Sequence, residues 1–80
     1  MSVIYILTVV QERHGEDMKI DTTVLSSEQL AIEQLYAEFA LQKSLAPDKS
    51  IAIIHGRHFT VRSAQPHLFV RGIVQGKVVP

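Results

Sequence analysis

The stretch Val9–Val24, VVQERHGEDMKIDTTV, decides the fold, because the turn inside it sets which side chains of two strands share a face. Before the turn, the eight residues from Val3 to Val10 are apolar except for Tyr5 and Thr8. A strand over Val3 to Glu12 with both faces apolar belongs inside a sheet rather than at its edge. After the turn, Met18, Ile20, Thr22 and Val24 alternate with Lys19, Asp21 and Thr23, the period-two pattern of a half-buried strand. Gly15 supplies the backbone freedom for a two-residue turn at His14-Gly15 or at Gly15-Glu16. Either choice places Met18, Ile20, Thr22 and Val24 on the face of Val3, Tyr5, Leu7 and Val9. The cluster of Glu12, Arg13, His14, Glu16 and Asp17 then reads as the solvated tip of a hairpin, where neither a cleft nor supporting groups hold a catalytic geometry.

Working outward, Leu25-Ser26-Ser27-Glu28-Gln29-Leu30 carries a helix start: Ser26 caps, Gln29 closes the capping box, and Leu25 and Leu30 staple the entry. The helix is expected from Ser27 to Ser44, stopping before Pro47, with Lys43 in its last turn. At 100° per residue, Ile32, Leu35, Tyr36 and Phe39 form one apolar stripe bordered by Ala31 and Ala40. Leu30, Ala37, Leu41 and Leu45 gather on the opposite side. One stripe packs on the sheet. The other is covered either by the C-terminal strands or by a second chain, and the second chain is the preferred reading.

Beyond Pro47, Ser50–His55 and His58–Ser63 read as two strands joined by Gly56-Arg57, with glycine first as in a type II′ turn. That turn sets Ala52 and Ile54 on one face with Phe59 and Val61, and leaves Ile51, Ile53, His55, His58, Thr60 and Arg62 on the other. Leu68–Arg71 is a further strand that Gly72 either bulges or bends into Ile73-Val74, and Gln75–Pro80 either extends it or frays. The fold class is α+β, in the order β-β-α-β-β-β, with a single helix packed on a mainly antiparallel sheet. Residues 1–80 are expected to form one small domain.

Composition limits the function. Eighty residues at 46% hydrophobic content support one core that buries roughly 60–65% of the unfolded surface. Without cysteine, packing and a partner subunit must supply the stability. The N-terminal apolar run lacks a basic leader and is far shorter than a bilayer span, so secretion and membrane insertion are not expected and the cytoplasm is. Formal charge sums to zero, yet residues 1–47 carry seven acids against three bases (net −4) and residues 48–80 carry five bases against one acid (net +4). Such asymmetry suits head-to-tail association or one basic face for an acidic partner.

No motif carries catalysis. His55 and His58 flank the second turn, but two imidazoles fall short of the four ligands of a structural zinc site, so neither metal nor cofactor is expected. There is no GxSxG elbow and no cysteine nucleophile, and four glycines are too few for a phosphate-cradling loop. Glu28, Glu33 and Glu38 spread around the helix rather than pairing. The expected function is a non-catalytic protein-binding or regulatory domain that acts by surface occupation, in the manner of a small accessory or phage protein. Leu30, Ala37, Leu41 and Leu45 form the expected interface of a homodimer. The alternative is a nucleic-acid-binding protein using Lys49, Arg57, Arg62, Arg71 and Lys77, with Phe59 and Phe69 interleaved for base stacking.

Overall fold

A computed structural model describes residues 2–80. It contains β1 (Ser2–Arg13), β2 (Lys19–Leu25), α1 (Glu28–Leu45), β3 (Ile51–His55), β4 (His58–Ser63) and β5 (Leu68–Val79). The expected β-β-α-β-β-β architecture is present. All four strand pairings are antiparallel and the sheet order is β2-β1-β5-β4-β3. Among the described residues, no helix is long and apolar enough to cross a membrane.

The core forms where α1 lies on β1, β5 and β4. Leu7 and Val9 of β1, Phe59 and Val61 of β4, and Leu68, Val70 and Val74 of β5 are buried with Ala31 and Leu35 of the helix. Phe39 packs its ring 5.5 Å from that of Phe59, tilted by 58°, a favourable aromatic geometry. A helix about 10 Å wide covers two or three strands spaced about 4.8 Å apart. The outer strands β2 and β3 therefore lie at or beyond its margins.

That limit explains the first correction. The β1–β2 connection is a loop of His14–Met18, not a two-residue turn, and its register pairs Gln11 with Lys19 and Val9 with Asp21. The amide of Glu16 bonds the carbonyl of Arg13 at 3.1 Å around Gly15, whose φ is +77°. Glycine in the third position makes this a type II turn, which splays the flanking strands instead of matching their twist. The register is offset by one residue from the expected one, and such an offset reverses every side chain. Ile20, Thr22 and Val24 consequently stand beside Val10, Thr8 and Ile6, away from the helix, and the polar Lys19, Asp21 and Thr23 take the helix side beyond the helix's reach.

The helix is also rotated from expectation. Its N-cap is Ser27, whose hydroxyl accepts the Leu30 amide at 3.2 Å, so Ser26 and Gln29 form no capping box. The buried stripe is Ala31, Leu35 and Gln42, while Tyr36 and Ala40 are exposed. A polar anchor accompanies this angle: the Arg13 guanidinium of β1 donates to the Gln42 side-chain Oε1 at 2.8 Å, and Gln42 Nε2 donates to the Glu38 carboxylate at 2.9 Å. Gln42 is buried, and these two bonds satisfy it at both ends.

The C-terminal half follows the sequence more closely. His55 pairs with His58 across Gly56-Arg57, and Gly56 at φ +60° with no other positive φ in the turn gives the type II′ pattern. β5, by contrast, neither bulges nor bends. It pairs without interruption with β1 from Arg13 opposite Leu68 to Ser2 opposite Val79, taking in Gln75–Val79. Gly72 serves a different purpose: a β carbon there would overlap the ring of Phe59, so the glycine is the seat of the largest fully buried side chain.

Candidate binding surfaces

Directly opposed residues in an antiparallel sheet point to the same side, so the registers spell out the face away from the helix. Its middle row reads Ile20, Val10, Arg71, Thr60, Ile53 from edge to edge. The row on one side is Thr22, Thr8, Ile73, His58, His55, and the row on the other is Glu12, Phe69, Arg62, Ile51. Ile6 beside Val24 and Ile4 beside Lys77 continue it along β1. No element among the described residues packs over this face. Ile20 is 60% exposed and Ile53 54%, far more than the core allows.

The face is apolar and basic together. Arg62, Arg71 and Lys77 lie on it against a single acid, Glu12. The remaining acids belong to the helix, the loops and the helix side of β2. The charge asymmetry between the halves of the chain thus becomes an asymmetry between layers: an acidic helix layer and a basic open sheet.

Of the five basic residues expected at a nucleic-acid surface, only those three share this face. Arg57 is held on the helix side by an ion pair with Glu28 and stacks 5.8 Å from the Tyr5 ring centre. Lys49 precedes β3 and stands at the end of the sheet near Arg62. The two phenylalanines separate, Phe59 into the core and Phe69 onto the open face.

The expected interface residues Leu30, Ala37, Leu41 and Leu45 are all exposed on α1, although Leu45 also borders a groove with Arg13, His14 and Pro66 at the end of the sheet. The C-terminal strands do not wrap onto them, since β3, β4 and β5 all lie in the sheet beneath the helix. The charged tip around His14 is joined to the β4–β5 connection, where the His14 amide bonds the His67 carbonyl at 3.0 Å and the His67 imidazole lies 3.7 Å from Glu12. His55 and His58 face each other as expected, and no group of three or more potential metal ligands is assembled among the described residues.

The open sheet face was missed in the sequence, although its signal was present. β1 is apolar on both sides and five strands accompany one helix, so one layer cannot cover two faces. Comparison with protein families, with curated proteins and with solved structures finds no match.

Proposed function

We propose that the protein is a non-catalytic protein-binding domain that works by surface occupation, with the open face of its sheet as the working surface. The observation that supports this is the row of Ile20, Val10, Arg71, Thr60 and Ile53, over which no element of the described residues packs. Contiguous exposed apolar patches above a few hundred Å² mark interaction sites.

Area separates the two exposed surfaces. The molecule measures 46 by 23 by 14 Å, so its broad face offers at most about 1,000 Å², and a standard interface needs roughly 800 Å² per partner. The outer stripe of an 18-residue helix is about 27 Å long and about 10 Å wide, giving roughly 270 Å². The sheet face is large enough for a stable complex. The helix stripe alone supports a weak, concentration-dependent homodimer.

Charge indicates the partner's chemistry. Arg71 sits on the central strand near the middle of the face, flanked by Arg62. A two-fold, face-to-face copy would bring like charges together at the interface centre. A partner with apolar anchors and carboxylates matches the face instead. Such a complex belongs in the cytoplasm, where a small regulatory domain meets its target directly.

The test is capture from nuclease-treated extract of the native cell, comparing the natural chain with an Ile20→Asp/Ile53→Asp variant. Both residues are exposed at opposite edges, so the fold should survive, as circular dichroism will verify. The proposal expects a stoichiometric protein retained by the natural chain and lost by the variant. Equal capture by both, or capture abolished by nuclease, contradicts it.

A further inference from the structure

The ends of β4 and β5 part after the Ser63–Leu68 pair, and the connecting loop Ala64–His67 opens a pocket of about 370 Å³ with the start of β3. We infer that this pocket is a binding site for a nucleotide, with Phe69 receiving the base and Lys49, Arg62 and His67 the phosphate. The inference goes beyond protein binding: the pocket shares Ile51, Arg62 and Phe69 with the end row of the open face, and it adds Lys49, Ser63 and His67 from the end of the sheet.

Three observations carry it. The lining combines an apolar wall of Ile51 and Phe69 with the cations Lys49 and Arg62, the His67 imidazole and the Ser63 hydroxyl. No carboxylate lines it, and the ion pairs of the described residues include neither Lys49 nor Arg62. Glu12, opposite Phe69 and 3.7 Å from His67, and Asp48, next in sequence to Lys49, stand outside the lining as acidic neighbours. Third, Phe69 is the one phenylalanine left free for stacking, since Phe39 and Phe59 pack against each other under the helix.

Charge and size select the ligand. A phosphate monoester carries about −1.5 to −2 at neutral pH, which Lys49 and Arg62 balance, whereas a lone carboxylate leaves one cation without a partner. The volume lies near the lower end of the roughly 300–1,000 Å³ typical of small-molecule sites, which fits a single nucleotide unit and not a dinucleotide. The same chemistry reaches the pocket from a free mononucleotide or from the end of a single strand, where an aromatic platform beside cations is the usual recognition device.

The experiment is a set of amide chemical-shift titrations of the full chain at low salt with AMP, inorganic phosphate and a 5′-phosphorylated hexaadenylate. AMP is expected to move the amides of Lys49–Ile51, Arg62–Ser63 and His67–Phe69, binding at least about fivefold more tightly than phosphate. Phe69→Leu, which keeps apolar bulk, should reduce AMP to the affinity of phosphate and leave phosphate unchanged. Arg62→Ala should weaken both by roughly tenfold or more. Tighter binding of the hexamer, with shifts spreading to Arg71, assigns the strand as the source; binding no tighter than AMP assigns the free nucleotide. AMP indistinguishable from phosphate, an unaffected Phe69→Leu variant, or no shifts at this end at roughly 10 mM AMP overturns the inference.

Discussion

Replacing Gly72 with alanine should be the most damaging single-methyl change in the molecule. The new β carbon overlaps the edge of the Phe59 ring, which is fully buried against Gly72 in the adjacent strand. Either the ring leaves its rotamer or β4 and β5 move apart, and overpacking of this kind costs about 1–3 kcal/mol. Removing glycine from the unfolded chain returns only about 0.4–1 kcal/mol. The net loss is about 1.3 kcal/mol, from a total near 4–12 kcal/mol for a chain of this length. At about 4–8 °C per kcal/mol, the thermal midpoint falls by roughly 5–10 °C. The assay is thermal and urea unfolding by circular dichroism, extended to Phe59→Leu and to the double variant. If the clash is the cause, the smaller side chain relieves it and the double variant is more stable than the sum of the singles by about 1–2 kcal/mol. A neutral Gly72→Ala, or strictly additive losses, refutes the role assigned to that glycine.

Other consequences can be read in the same unfolding experiments. Ser27→Ala should cost about 1 kcal/mol, and Ser26→Ala should change little, because only Ser27 caps the helix. Gln42→Leu should cost about 1–3 kcal/mol by stripping a partner from Arg13, and adding Arg13→Leu should recover part of it by removing the stranded donor as well. Leu41→Asp should lower the average mass at high micromolar concentration by light scattering without altering the circular dichroism; an unchanged mass removes the helix stripe from self-association.

How much of this was legible in the sequence depended on how local the deciding physics was. The β3–β4 hairpin was readable because Gly56 dictates both turn and register within six residues, and the strand order of types followed from periodicity alone. The β1–β2 register was not readable. Gly15 permits several turns, and the choice among them rests on a helix too narrow to cover β2. The cap shifted from Ser26 to Ser27 for a similar reason: both serines can cap, and the angle goes with Arg13 reaching Gln42 across 29 positions of chain. Gly72 looked like a breaker because its partner, Phe59, is thirteen residues away and identified only by strand pairing. At the surfaces, the exposed leucine stripe is legible in the helix periodicity, but placing Ile20 and Val24 on the face of Leu7 and Val9 hid the larger face behind it.

The central claim is that one side of this sheet is open, and the isoleucines report on it directly. Six of the eight, Ile4, Ile6, Ile20, Ile51, Ile53 and Ile73, stand on that side, while Ile32 of the helix and Ile54 of β3 pack against the core between the layers. The measurement is paramagnetic attenuation of isoleucine methyl resonances by a soluble gadolinium probe, at a concentration where the chain is monomeric. Strong attenuation of Ile20 and Ile53, with Ile32 and Ile54 protected, is the predicted result; equal protection of all four means that the face is covered by the chain itself and contradicts the account.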